Sequence, residues 1–356
     1  MIARHDAAVA DKIVGAIMEA NASLVPAHLG AARGEGTINI NRRVRAKDGR
    51  PAAVGRNPEG TVDRELIVFR IDDAQGKPLA VLVNFQCHGT VLAYENKTIS
   101  PDWIGMTRKV IEDSLPGALA LYFQGAAGDQ GPMEGFTGDL AVPHRLGRIL
   151  GHQAAALALS IETVRREPFF EGFVESTAYQ AKQHWRVKGP RDATLRFATV
   201  TVQAPPRTYT REELARMERQ VADAEAAVKK LGPNADRWEK HQAEARLRRF
   251  SDLLRSWRNP RTETLPVDVQ ALRIGEYALV AMPGEPFSGI GAAVKKASPF
   301  AVTMFCGYSS GSGGDYMPIA SEYEHGGYEV ERSPYGTGAA DLVIREAQAL
   351  LRKLKD

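Results

Sequence analysis

His88 closes an apolar run, Val81-Leu-Val-Asn-Phe-Gln-Cys-His-Gly-Thr90, directly ahead of a glycine and a loop. An imidazole at the end of a buried strand needs partners for both ring nitrogens, so it is either a satisfied structural group or a ligand. Three further segments take the same form, an apolar strand running into a polar, glycine-bearing loop. They are Leu119-Ala-Leu-Tyr-Phe-Gln-Gly-Ala-Ala-Gly-Asp-Gln-Gly-Pro132, Tyr277-Ala-Leu-Val-Ala-Met-Pro-Gly-Glu-Pro286 and Val302-Thr-Met-Phe-Cys-Gly-Tyr-Ser-Ser-Gly-Ser-Gly-Gly-Asp-Tyr-Met-Pro318. In α/β proteins, loops at the carboxyl ends of buried strands are rigidly held and are where sites are built. These four would bring His88, Asp129, Glu285, Asp315 and Tyr316 together, hard and borderline donors of the kind that hold a zinc-type ion. The chemistry indicated is metal-assisted hydrolysis, in which the ion acidifies a water to a pKa of about 7 and polarises a carbonyl oxygen.

Five short segments, Asn84-Phe-Gln-Cys-His-Gly-Thr90, Ile99-Ser-Pro-Asp-Trp-Ile-Gly105, Gln124-Gly-Ala-Ala-Gly-Asp-Gln-Gly-Pro132, Pro283-Gly-Glu285 and Gly326-Gly-Tyr-Glu329, occur in an order that resembles a known family. It is the neutral/alkaline non-lysosomal ceramidase catalytic domain, in its bacterial ceramidase-like branch, and the resemblance runs from about Ala8 to the C-terminus. The resemblance implies a zinc ion held by two histidines, a glutamate and a tyrosine. His88 matches the second histidine, Glu285 the glutamate and Tyr316 the tyrosine, with Tyr308 close by. The family's first histidine lies in a His-Thr-His-Ser-Gly-Pro-like motif that this chain does not contain, so the chain is expected to lack the first strands and one ligand. His5 offers itself as a substitute, but its fully polar neighbourhood speaks against it. Asn41-Arg42 resembles an element lining the family's site, and Gly131 stands where the family carries a serine. The resemblance thus implies Asn41, Arg42 and Gly131 at the substrate. Asp129 or Asp102 would orient water or a ligand's ring nitrogen, and Tyr316 or a loop N–H would stabilise an oxyanion.

The expected function is therefore zinc-dependent hydrolysis of an N-acyl amide in lipid, specifically sphingolipid, metabolism. Two other readings stand beside it. One keeps hydrolysis but takes a small polar amide or ester. The other, drawing on Gly131 and the missing histidine, is a non-catalytic paralogue, a binding protein or a subunit.

Composition limits the classes. The 356 residues are 44% hydrophobic and 25% charged, ordinary for a globular chain, and a net charge of +3 gives no reason to expect nucleic acid. The basic clusters at Arg42-Arg43 and Arg246–Arg249 read as solvated faces or substrate-rim charges. Cys87 and Cys306, the two cysteines, sit inside apolar strands and read as structural thiols. No apolar stretch of about 18 residues exists to span a membrane. No secretory leader is visible either, so a cytoplasmic location is expected as the chain stands, with secretion open if a leader has been lost with the N-terminus.

The elements that must position the loops read as a mixed α/β fold, one domain over 1–356 with two packed sheets and helices outside. A helix is expected at Asp6–Ala20, with Val9, Ile13, Val14, Ile17 and Met18 on one stripe. A strand pair follows at Ala27–Ala32 and Thr37–Asn41, then a long surface loop over Arg45–Val62. Strands Glu65–Asp72 and Leu79–Cys87 turn at Ala74–Lys77; Asp102–Ser114 and Leu140–Val164 are helices around the strand Ala118–Gln124. Strands Gly172–Trp185 and Leu195–Gln203 precede a helical hairpin, inserted over 210–258 and opened by a Thr210/Glu213 capping box. It is read as self-packed, with a dimer contact or lid as the alternative. Strands Val267–Ile274 and Tyr277–Met282, helix Phe287–Ala297, strand Ala301–Cys306 and helix Ala339–Leu354 complete the chain. The sequence shows no internal repeat. Gly311-Ser-Gly-Gly314 lacks the Gly-Lys-Ser/Thr ending and a following helix, so it is not a phosphate loop.

Overall fold

The computed structural model describes residues 2–45, 50–232 and 234–356, with side chains from residue 6 onward. The chain opens with α1 (Ile2–Ala22), then β1 (Ala27–Glu35), β2 (Asn39–Val44), β3 (Ala53–Asn57), β4 (Glu65–Asp73) and β5 (Pro78–Phe85). Helix α2 (Asp102–Ser114), β6 (Leu119–Gln124), the short β7 (Gln130–Pro132) and α3 (Ala141–Ser160) follow. A ribbon of β8 (Arg166–Glu175) and β9 (Tyr179–Val187) leads to β10 (Leu195–Ala204), helices α4 (Arg211–Lys230) and α5 (Arg237–Arg258), and β11 (Leu265–Ile274). The last stretch carries β12 (Tyr277–Ala281), β13 (Glu285–Pro286), α6 (Ser288–Lys296), β14 (Val302–Cys306), β15 (Tyr316–Met317), α7 (Tyr328–Arg332) and α8 (Ala339–Lys355).

Two four-stranded sheets, ordered β1-β4-β5-β6 and β10-β11-β12-β14, form the centre. In each, the first two pairings are antiparallel and the last is parallel. The parallel neighbour is reached through a crossover helix, α2 in one sheet and α6 in the other, as parallel strands require. In each, the next long helix, α3 or α8, packs on the first two strands.

Side-chain alternation explains the layers. Leu66, Ile67, Val68 and Phe69 on β4 are all fully buried. Leu66 and Val68 join the core under α2 and α3, while Ile67 and Phe69 point the other way into a cluster with Tyr277, Val302, Met304 and Cys306 of the second sheet. On β12, Ala278 and Val280 meet the cluster under α6 and α8, and Leu279 and Ala281 face the first sheet. A run apolar on both faces is what a strand between two cores needs. The order is helices, sheet, sheet, helices, the mixed two-sheet core expected. Both cysteines are buried and free, and burial pushes the Cys306 thiol up to about 12.

Several local expectations are corrected. The segments at Ala27 and Thr37 are strands but not partners: β1 pairs with β4, and β2 pairs with β3 and β7. The loop after Arg45 contains β3, which pairs with β2 across a bulge. Gly172–Trp185, expected as one strand, spans the end of β8, a turn at Ser176–Ala178 that closes the ribbon, and most of β9. The hairpin of α4 and α5 forms as read, with both halves of the Thr210/Glu213 capping box and its own cluster of Met217, Ala224, Phe250, Leu254 and Trp257.

Two apolar surfaces face outward. The α1 stripe of Val9, Ile13, Val14, Ile17 and Met18 is exposed. In the β8–β9 ribbon, opposed residues share a face. Pro168 with Trp185, Phe170 with Gln183, Phe173 with Ala181 and Arg166 with Val187 therefore make a largely apolar side. The other side carries Glu167 on Arg186 and Glu171 on Lys182. No described helix is long and apolar enough to cross a membrane.

Candidate metal centre

His88 and Glu285 stand 197 residues apart and meet at 2.9 Å, Nε2 to Oε2. Each follows the third strand of its sheet, His88 after β5 and Glu285 after β12, so the packing of one sheet on the other brings the loops together. His88 is fastened on three sides. Its backbone N–H and its Nδ1 both meet the Gln130 carbonyl, at 3.2 and 3.0 Å, and its own carbonyl accepts from Trp103 Nε1 at 3.0 Å. A carbonyl only accepts, so this network assigns the proton to Nδ1 and leaves Nε2 with its lone pair toward Glu285. Glu285 is set by the Gly284 turn, at φ +75°, where a Cβ would meet Asp315 O at 2.5 Å, and by pairing of β13 with β15.

Tyr308, the second residue after β14, completes the group. Its Oη donates to Glu285 Oε2 at 2.9 Å and lies 3.0 Å from His88 Nε2. Three lone-pair-bearing atoms thus form a triangle with edges of 2.9–3.0 Å and one phenolic proton among them. Ligands about 2.0–2.1 Å from a tetrahedral zinc stand about 3.3–3.4 Å apart, so the triangle needs to open by only a few tenths of an ångström to hold one. The donor types and the converging lone pairs fit a zinc-type ion. Among the described residues there is no cluster of three or more His, Cys, Asp or Glu side chains, so a metal here draws on the phenol oxygen as its third protein ligand.

Tyr316 stands one step out. Its hydroxyl accepts from Arg42 Nη2 at 3.0 Å and also hydrogen-bonds Glu285. Arg42 is itself held by Glu329 at 2.8 Å, and Glu329 bridges to Arg43 at 2.7 Å, which reaches Glu322 at 2.7 Å. These buried charges are paired, as burial demands. Burial opposes the charge on Arg42, but Glu329 together with Tyr316 and Tyr308 more than offsets it and raises the pKa above its ordinary value. Burial also pushes both phenols, Tyr308 and Tyr316, far above the usual range, so each is a neutral donor. For Glu285, burial disfavours the charge, yet the neighbouring His88 and the hydroxyls of Tyr316 and Tyr308 prevail and hold its carboxyl below the usual value.

The other expected residues take supporting places. Asp129 does not reach the His88 ring: its carboxylate accepts from Ser288 N at 2.7 Å and Ser288 Oγ at 2.9 Å, anchoring the start of α6, which lacks a side-chain cap of its own. Asp102, at φ +51°, accepts from Leu92 N at 3.0 Å and Trp103 N at 2.8 Å and so shapes the loop after His88. The group that orients the imidazole is the Gln130 carbonyl. Asn41 bonds Thr61 O and Arg43 N, and holds backbone rather than the site. Arg42 is in the site. Gly131 pairs with Ile40, and a Cβ there would lie 3.3 Å from Arg42 Cβ, so a side chain would press on the arginine that holds Tyr316. Asp315 pairs with Arg332 at 2.7 Å instead of joining the donors. His5 has its side chain outside those described. Tyr308 replaces Tyr316 as the third corner, and Glu329 was visible only as part of the Gly326-Gly-Tyr-Glu329 motif. The sequence signal for Tyr308 was its place, two residues past a buried strand in a loop already singled out.

Residues 3–135 match the family model described as neutral/alkaline non-lysosomal ceramidase, N-terminal. The chain is 34% identical over 134 residues to neutral ceramidase A of Dictyostelium discoideum, covering 35% of this chain and 19% of that protein. Against neutral ceramidase B of the same organism it is 31% identical over 133 residues, covering 35% and 18%. The crystal structure of neutral ceramidase from Pseudomonas aeruginosa superposes with a TM-score of 0.55 at 20% identity, over 96% of this chain and 55% of that one. A ceramidase complexed with C2 gives 0.54 at 18% identity, over 94% and 55%. The resemblance to the neutral/alkaline non-lysosomal ceramidase family therefore holds: the family's N-terminal sequence pattern occupies residues 3–135, and nearly the whole chain follows the ceramidase fold. The chain spans about half the length of the solved ceramidases it matches.

Proposed function

We propose that the chain is a hydrolase of an N-acyl amide, with a ceramide-like lipid as substrate class and zinc as cofactor. The observation that carries this is the convergence of His88, Glu285 and Tyr308 within 3.0 Å, beside the Tyr316–Arg42 pair, in a chain whose residues 3–135 match the ceramidase model. When bound, zinc would supply a Lewis acid and a more acidic water. His88, Glu285 and Tyr308 would hold it. Tyr316 has a neutral hydroxyl backed by a guanidinium, which suits it to donate to the amide oxygen as negative charge develops there. Arg42 keeps that hydroxyl in place and sits in a buried network that fixes its own orientation. Glu285, held ionised, is the acceptor nearest to these groups for a proton on its way to the leaving amine.

The test measures release of a fluorescent acyl group from an N-acyl sphingoid amide and from a short soluble amide, together with zinc affinity by chelator competition. His88→Ala and Glu285→Ala should each weaken zinc by at least about 100-fold, since losing a ligand costs more than the roughly 10–100-fold of losing a ligand's outer partner. Tyr308→Phe should weaken it by about tenfold, while Tyr316→Phe should leave affinity intact and lower turnover about 100-fold. Zinc affinity unchanged in both His88→Ala and Glu285→Ala would remove the metal assignment. Cleavage of the short amide in preference to the lipid would favour the small polar substrate.

A further inference from the structure

A cavity of about 540 Å³ lies between α5 of the helical hairpin, the 313–315 loop and α7, within the range of small-molecule sites. Tyr209, Leu253, Trp257, Leu265, Pro266 and Tyr335 give it aromatic and aliphatic walls. The charges at its rim are unequal in an informative way. Each of the three carboxylates already has a cation: Glu331 has Arg249 at 3.1 Å, Asp315 has Arg332 at 2.7 Å, and Asp252 has Arg255 at 3.2 Å. Arg261, also in the lining, has neither an ion-pair nor a hydrogen-bond partner among the described residues. Arg261 is thus the one charged lining residue without an ion-pair partner among the described residues, so the complementary ligand is an anion.

We infer that this cavity binds an amphipathic monocarboxylate, with its apolar body against Trp257, Tyr209 and Tyr335 and its carboxylate on Arg261. One unmatched guanidinium calls for one negative charge, and its planar fork pairs with a carboxylate in bidentate fashion. The site is distinct from the metal centre: His88, Glu285, Tyr308 and Arg42 are not among its lining residues. The two are neighbours at β15, whose adjacent Asp315 borders the cavity while Tyr316 serves the centre, and at α7, whose Glu329 holds Arg42 while Glu331 and Arg332 line the cavity.

Calorimetric titration of the whole chain with decanoate, decanol and decylammonium tests this. Decanoate should bind with one-to-one stoichiometry, at least about tenfold tighter than decanol, and decylammonium should not compete for the site. Arg261→Ala, a change at an exposed side chain, should remove the preference for decanoate over decanol while the thermal melt stays unchanged. Trp257→Phe should keep binding but weaken it severalfold. Equal affinity for decanoate and decanol in the native chain would overturn the inference, as would decanoate binding that survives Arg261→Ala unchanged, since either would place the association on an apolar surface elsewhere. Absence of any decanoate binding at millimolar concentration would overturn it as well.

Discussion

At the scale of single residues, the site rests on groups whose charge state is imposed from outside. Asp129 shows this most plainly. Burial pushes its carboxyl up to about 6 even though Ser288 donates to it twice, so near neutral pH it is ionised at a cost. A folded-state pKa above the unfolded value means that the folded state binds the extra proton between about pH 4 and pH 6, and stability from this group falls as pH rises through that window. Two units correspond to at most about 3 kcal/mol. Asp129→Asn should therefore gain up to that amount relative to the native chain between pH 4 and pH 7 in urea unfolding; a constant difference across the range would show that Asp129 titrates normally. The sequence pointed to this residue for the wrong task. Its loop was recognisable as a site loop, but whether a carboxylate turns toward an imidazole or toward a helix end depends on where α6 begins in space. His88 and Glu285 were legible because each ends an apolar strand. Tyr316 was chosen over the neighbouring Tyr308 because spacing along a glycine-rich loop does not say which phenol folds back.

Among the elements, the regular ones were readable and the pairings were not. Helix α2 occupies the expected residues, and the capping box at Thr210 is present. By contrast, the partner of β1 lies some thirty residues further on, and nothing local distinguishes it from β2. The α4–α5 hairpin joins two adjacent strands, β10 and β11, whose pairing does not depend on it. It buries its own cluster and touches the rest through few groups, chiefly Arg249 on Glu331 and Arg207, whose guanidinium packs near Tyr209 and Trp257. Excision of 210–258 with a short Gly/Ser bridge should leave a cooperatively folding protein whose melting temperature drops by less than about 10 °C, a few kcal/mol for a chain of this size. It should also abolish decanoate binding, because one wall of the cavity leaves with it. Loss of soluble protein would show that the hairpin belongs to the core.

Across the whole molecule, the packing of sheet on sheet decides whether the site exists. The cluster of Ile67, Phe69, Tyr277, Val302, Met304 and Cys306 is the seam, and the donor loops lie at its end. Neither half carries the triangle alone: the first brings His88, the second brings Glu285 and Tyr308. The buried chain of Arg42, Glu329, Arg43 and Glu322 crosses between the halves as well, joining β2 to residues near the C-terminus. Contacts between residues so far apart in sequence form late and slowly, so the centre should assemble in the last step of folding.

The two sheets share one wiring. Each half is a strand, an inserted excursion, a hairpin of two strands, a ligand-bearing loop, a crossover helix, a parallel strand, a glycine-bearing loop and a long helix over the first two strands. The excursion is β2–β3 in one half and α4–α5 in the other, at the same point of the path. His88 and Glu285 occupy equivalent positions. The two halves thus follow one path, and the candidate metal centre lies where they meet. Residues 1–190 and 191–356 expressed as separate chains should then find each other through the sheet-on-sheet seam, and zinc titration of the mixture should show binding that neither half has alone.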